Sequence, residues 1–383
     1  MNQEALFKEI DRLYEGYLRF WEDVCNIESP THFKQGVDDC CEYFVRRAES
    51  LGFEVEVFPQ AASGDPVCIT MNPHASGEVV CLSGHLDTVH PVGLFGTPAV
   101  RFDDEKIYGP GVTDCKGGVV GAMYAMEVLH NCGYTDRPIK LLLQTDEEGG
   151  SKYSNKANIN WICEKSKGST AFLNLEGHTK GEACIERKGI ITFKFRIHGV
   201  EAHSSNCATD GANAIIEAAH KILELERHKD DDGLTCSCNT IQGGSAHNTV
   251  AGYCEFVCNV RFATAEQLDL IKAKAKELAD TVYVKGCRTE LEVVSHRVAM
   301  ERVERNEKLV ERLNKAFKCF GLAELSPSKR KGGSDAADAT AFGLTAVDSL
   351  GTEGGRIHSP DEFGYKESLR ECAKRIVAAV CEL

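Results

Sequence analysis

This chain of 383 residues holds 18 cysteines but no Cys-x-x-Cys pair. Cys40-Cys41, Cys236/Cys238 and Cys254/Cys258 are close neighbours without the spacing of a zinc ribbon. No apolar run approaches the ~20 residues that a membrane helix needs, so no span is expected. The N-terminal segment MNQEALFKEIDRLYEGYLRFWEDV reads as a polar amphipathic helix. It has no basic stretch followed by an apolar one, so no secretory leader is expected. A cytoplasmic protein keeps its thiols reduced, and most of the cysteines then serve as small buried apolar residues. Basic excess is also lacking. The net charge of -14 argues against a nucleic-acid partner and says little about substrate. There is no internal repeat and no low-complexity segment, and the 42% apolar and 27% charged content is that of a soluble globular protein.

The length allows two domains of ordinary size. Up to about residue 187, helical patterns at 4–26, 34–51 and Val119–Cys132 alternate with short apolar runs. The runs are Val79–Leu82, Ile139–Leu143 and Ala171–Leu175. Continuous apolar strands separated by helices predict an α/β fold with a mostly parallel sheet. The pattern then changes. Ile190–His198 alternates strictly, the mark of a half-exposed strand, and its edge is expected to be free to pair with a second copy. Helices near 211–226 and 265–280 and strands near 235–241, 252–262 and 289–294 complete a β-α-β-β-α-β order, the split ferredoxin-like arrangement. The expected division is therefore a catalytic domain of residues 1–188 and 301–383, and an inserted domain of residues 189–300. A helix near Asn306–Phe320 and a strand at Ala346–Leu350 resume the first fold.

Five stretches end in residues suited to binding metal: Ser83-Gly84-His85-Leu86-Asp87, Gly111-Val112-Thr113-Asp114, Asp146-Glu147-Glu148-Gly149, Asn174-Leu175-Glu176 and Arg356-Ile357-His358-Ser359-Pro360. Imidazoles with carboxylates suit a pair of divalent ions. Three of these stretches directly follow predicted strands, and open α/β sheets bind ligands at the carboxyl ends of their strands. Each motif has an ordinary alternative. A His-x-Asp after a strand is usually coincidence, Asp114 before a helix is a common cap, and adjacent acids are normally a solvated patch. Their shared placement favours the metal reading. In it His85 binds metal, Asp87 holds its far ring nitrogen, Asp114 bridges two ions, and one of Glu147 and Glu148 binds metal while the other takes a proton from water. His203, in a polar turn after a strand, is positioned to reach a substrate. Gly332-Gly333-Ser334-Asp335, ahead of a helix starting near Ala336, offers backbone N–H groups to an anionic group.

The motifs GHLDTV, YGPGVTDCKGG, TDEEGG, NLEG, ERKG, GVEAHSS, IQGGSAHNTVAGYCEFVCNVRF, HRVAMERVERN, GGSDAAD and IHSPDEF follow one another along nearly the whole chain. In this the chain resembles the dinuclear-zinc aminoacylase and glutamate-carboxypeptidase family, which includes acetylornithine deacetylase, succinyl-diaminopimelate desuccinylase, carnosinase and the tripeptidases. The resemblance implies His85, Asp114 and Glu176 around one ion, and Asp114, Glu148 and His358 around the other. It implies Glu147 as general base, Asp87 as the acid behind His85, and a cis peptide bond between Asp114 and Cys115. The inserted domain becomes a lid through which a homodimer forms. Its His203 would steady an oxyanion, often in the partner's site, and Asn248 and Arg261 would bind the substrate's carboxylate or oxyanion, with Gly333 and Ser334 as further expected substrate-binding residues. The implied cofactors are two divalent ions per subunit, zinc first, with cobalt or manganese as alternatives. The implied substrate is a small peptide or an N-acyl amino acid. A glutamate at 176 resembles the carboxypeptidase and deacylase branch; the rivals are a di- or tripeptidase, a catalytically silent binding protein on this fold, and a cysteine-rich redox or metal-storage protein. Cys115, Asn248-Thr249-Val250-Ala251 and Asn259-Val260-Arg261 depart from the commonest family pattern and bear on lid packing and substrate contact.

Overall fold

The computed structural model describes residues 2–383. The chain folds as two units: residues 2–186 with Arg302–Lys329 and Ser334–Leu383, and Arg187–Glu301 with the short segment Arg330–Gly333.

The first unit is built on a six-stranded sheet in the order Glu54–Val57, Val67–Met71, Ile139–Gln144, Val80–His85, Ala171–Asn174, Ala346–Val347. The last four strands run parallel, and the first two are antiparallel additions at one edge. Every residue of Val80–His85 is buried, as expected of a strand covered on both faces. Helices Gln3–Asn26, Lys116–Asn131 and Lys366–Glu382 contribute to the same core, through residues such as Trp21, Met123, Tyr124 and Ile376. The strands at 54–57 and 67–71, the helix Ala157–Lys165 and the C-terminal helix were not anticipated from periodicity.

Helix Lys116–Asn131 is buried through its first fourteen positions, from Lys116 to Leu129. The sequence places its start at Val119, after two glycines; the structure starts it earlier. The glycines are in the first turn for space. A β-carbon on Gly118 would lie 2.1 Å from the Leu175 carbonyl oxygen. The helix therefore presses directly on the backbone that leads into Glu176.

The second unit has the order β-α-β-β-α-β. Its sheet is Thr235–Gly243, Tyr253–Phe262, Gly189–His198, Arg288–Arg297, antiparallel throughout. Ile191, Phe193, Phe195 and Ile197 are buried on one face, with Phe195 stacked on Phe256 at 4.7 Å, and helices Ala214–Leu225 and Ala265–Asp280 add to that core. The expectation that Ile190–His198 is an edge strand is wrong. It lies inside the sheet, paired on both sides. Alternation reports that one face is covered, and it carries no information about lateral neighbours. The edges are Thr235–Gly243 and Arg288–Arg297, and each carries a register break. Among the described residues, no helix is long and apolar enough to cross a membrane.

Candidate metal centre

The parallel sheet brings three of the candidate segments together. His85 ends its strand and pairs in register with Gln144, whose strand leads into Glu147 and Glu148. On the other side Ser83 pairs with Asn174, two residues before Glu176. Asp114 arrives from the turn ahead of helix Lys116–Asn131, and its peptide bond to Cys115 is cis, as the resemblance implied. His358 stands on the loop between the short strands Gly354–Gly355 and Phe363–Tyr365.

Asp114 is the hinge of the arrangement. Its Oδ1 lies 3.1 Å from His85 Nε2, and its Oδ2 lies 3.1 Å from His358 Nε2. His85 Nε2 is also 3.5 Å from Glu176 Oε1, and His358 Nε2 is 3.2 Å from Glu148 Oε2. Each oxygen of one carboxylate thus faces a different imidazole, and each imidazole faces a further glutamate. Neighbouring ligands on one tetrahedral zinc ion stand ~3.3 Å apart for bonds of about 2.0–2.1 Å. The donor spacing fits one small divalent ion beside each histidine, with Asp114 common to both.

Charge points the same way. Three carboxylates converge with their side chains about nine-tenths buried, an arrangement that cations stabilise. Without them, protons take that part. Burial pushes Glu148 up to about 8 and, helped by the Asp114 charge, Glu176 up to about 7. The bonds to Asp114 and Glu148 push His358 up to about 10. Burial alone would raise Asp114, but the bonds from His358 and His85 hold it well below the usual carboxylate range. Cys115 also lies within reach of His85 and Glu176. Its sulfur accepts the His85 backbone N–H at 3.3 Å, and burial pushes the thiol up to about 12, so it acts as a buttress.

Behind these donors stand two buried carboxylates. The sequence singles out Asp87 to hold the far nitrogen of His85. In the structure His85 Nδ1 meets the Asp87 backbone carbonyl at 2.9 Å, and the carboxylate is farther, at 3.4 Å. The carboxylate chiefly accepts the N–H groups of Glu147 and Glu148, both at 3.1 Å, and the Thr31 hydroxyl at 2.7 Å. Asp87 therefore orients one ligand and fixes the backbone of the adjacent glutamates. Glu147 is buried at this loop. The second carboxylate, Glu362, was missed although it lies in IHSPDEF. It accepts N–H groups from Gly111, Thr113 and Asp114 at 2.9–3.1 Å and contacts His90 Nε2 at 3.0 Å. An acid four residues past His358 gives no sign in one dimension that it turns back to Asp114.

The remaining candidates divide between the units. His203, Asn248, Arg261 and Gly333 belong to the second. His203 is exposed, caps a single turn at Ser204–Asn206, and lies beside the Asn248 segment, whose carbonyl accepts the Ser204 N–H at 2.9 Å. Arg261 is half-buried; its Nε meets Asn259 Oδ1 at 3.2 Å and its Nη1 the Lys331 carbonyl at 3.4 Å. Gly333 packs against the Arg297 side chain. Ser334 belongs to the first unit and is buried. Its hydroxyl donates to Asp348 at 2.6 Å and caps helix Asp335–Phe342.

Two imidazoles and two glutamates gathered around a shared aspartate at the strand ends of a parallel sheet are the mark of a metal-dependent hydrolase. Residues 81–382 match peptidase family M20/M25/M40, and the chain belongs to that family. It is similar to carboxypeptidase G2 of a Pseudomonas species, 27% identical over 93% of this chain and 86% of that protein. It is also 27% identical to acetylornithine deacetylase of Myxococcus xanthus, over 88% of this chain and 90% of that one. In fold it is similar to aminopeptidase PepT of Bacillus cereus, with a TM-score of 0.79 at 22% identity, covering 100% of this chain and 99% of that one. The chain is thus a hydrolase of amide bonds that uses divalent metal.

Proposed function

We propose that the protein releases an amino acid from a small peptide or an N-acyl amino acid, as a carboxypeptidase or deacylase, at a pair of zinc ions. The observation that carries this reading is the division of the two Asp114 oxygens between His85 and His358. His85, Asp114 and Glu176 would hold one ion, and Asp114, Glu148 and His358 the other. Divalent ions bound there supply a Lewis acid that polarises the scissile carbonyl and brings the pKa of water towards ~7.

Around that chemistry the protein's own groups divide the work. Glu147 takes the proton from the attacking water and returns it to the leaving nitrogen. Asp87 keeps Glu147 and Glu148 in place through their backbone N–H groups. His203 donates a hydrogen bond to the oxyanion that develops as the carbonyl is attacked. Arg261 and Asn248 bind the substrate's carboxylate or oxyanion, and Gly333 and Ser334 offer backbone N–H groups to an anionic part of it, while the Ser334 hydroxyl is engaged by Asp348. The first unit is then the catalytic domain and the second a lid through which two copies pair, each supplying His203 to the other. We place the protein in the cytoplasm, where its 18 thiols stay reduced.

The test is hydrolysis of a panel of N-acyl amino acids and unblocked di- and tripeptides by protein loaded separately with zinc, cobalt and manganese. Turnover of the N-acyl compounds supports the reading. Cleavage confined to peptides with a free amino terminus assigns a di- or tripeptidase. Binding without turnover under every metal identifies a silent relative. Sedimentation at micromolar concentration tests the dimer.

A further inference from the structure

The segment that carries His358 is weakly attached. It runs between two short strands, its histidine side chain is 52% exposed, and the Arg356–Asp361 and Ser359–Arg356 contacts stay within the loop. His85 and Glu176, in contrast, are at or just past the ends of buried strands. What ties the His358 loop to the rest is Glu362 and its neighbour. The Glu362 carbonyl accepts the Gly109 N–H, the Phe363 carbonyl accepts the Thr113 hydroxyl, and the Glu362 carboxylate takes Gly111, Thr113 and Asp114. An ionised carboxylate has about four acceptor positions. Three backbone donors and the His90 ring occupy them, two on each oxygen.

We propose that Glu362, backed by His90, is a positioning residue that locks the Asp114 turn to the His358 loop and so sets the affinity of the ion held by His358 and Glu148. It parallels Asp87, which fastens the turn of Glu147 and Glu148. The two halves of the centre differ in their need for it. The His85 half is held by the sheet, while the His358 half is anchored only by its short flanking strands and by this one buried carboxylate, which alone reaches the Asp114 N–H. Glutamine at 362 keeps the shape but sets an NH2 group against backbone N–H donors. The inference rests on the two-ion reading above.

The test is zinc binding by Glu362→Gln, measured by competition with a chromophoric chelator, with circular dichroism as the check on folding. The parent should bind two zinc ions. The variant should hold one with unchanged affinity and the other about 10- to 100-fold more weakly, the usual range when a supporting partner of a ligand is lost. In a His358→Ala background, which retains one ion, adding Glu362→Gln should change nothing further, because the partner it acts through is already gone. Equal weakening of both ions, no weakening of either, or a further loss in the His358→Ala background would overturn the inference. If Glu362→Gln does not fold, His90→Asn carries the same test by the same criteria, since it removes one of the four contacts and leaves the backbone bonds intact. A parent that binds fewer than two ions refutes the two-ion reading itself.

Discussion

Replacing Glu147 with glutamine separates chemistry from metal binding at adjacent residues. Glu148 lies 3.2 Å from His358 Nε2, so its side chain belongs to the donor set. What fixes the backbone of both glutamates is Asp87, through an N–H bond to each at 3.1 Å. A change confined to the Glu147 side chain leaves those bonds and all five proposed ligands in place. Glu147→Gln should therefore retain the parent's metal content. It loses a proton acceptor, and loss of a positioned general base lowers turnover by about 10²-fold or more. At 1.36 kcal/mol per tenfold, that is about 2.7 kcal/mol added to the barrier. KM should change little, because no proposed substrate contact is altered. Glu148→Gln should instead lose metal, and its activity should recover in part as zinc is raised. The assay is metal content by mass spectrometry with steady-state kinetics on both variants. A Glu147→Gln protein that keeps its metal and turns over at the parent rate would remove Glu147 from the mechanism. Loss of metal from Glu147→Gln, with Glu148→Gln intact, would exchange the two roles.

Gly118→Ala should destabilise the protein by about 1–3 kcal/mol, the cost of forcing an atom into a packed contact, since its β-carbon would lie 2.1 Å from the Leu175 carbonyl; chemical denaturation of the metal-free protein checks this. The metal-free protein should also lose stability as pH rises. Glu148 is raised from 4.5 to about 8 and His358 from 6.5 to about 10, so the folded state holds more protons than the unfolded one across these windows. Their contribution is full below the lower value of each pair and is lost as pH passes the upper. Unfolding curves between pH 6 and 10 should fall less steeply for His358→Gln. Zinc uptake at pH 8 should release protons, read as a dependence of the calorimetric heat on buffer. Arg261→Ala should raise KM for N-acyl amino acids by about tenfold or more and leave kcat nearly unchanged, as expected of a contact made equally in ground and transition states.

Much of the site was legible because parallel strands end at a common edge. Val79–Leu82, Ile139–Leu143 and Ala171–Leu175 announce themselves as buried strands, and the residues just beyond them converge. The alternation of Ile190–His198 showed which face is covered but not which strands flank it. Gly117-Gly118 looked like a helix boundary because glycine is a poor helix former; contact with the Leu175 backbone overrides that preference. Glu362 and His90 were not legible, since the contacts of Glu362 to Asp114 and to His90 span 248 and 272 residues and leave no periodic trace. Ser334 was expected to offer its backbone N–H to substrate; the bond of its hydroxyl to the buried Asp348 was not legible, because Asp348 is supplied from a later strand end.

The central claim is that Asp114 is shared between two ions, and zinc retained after exhaustive dialysis, counted per chain by mass spectrometry, tests it most directly. The parent should retain two ions, His358→Ala one, and Asp114→Ala neither, because only Asp114 contributes to both halves. A parent that holds a single ion, or an Asp114→Ala protein that still holds two, would contradict the account.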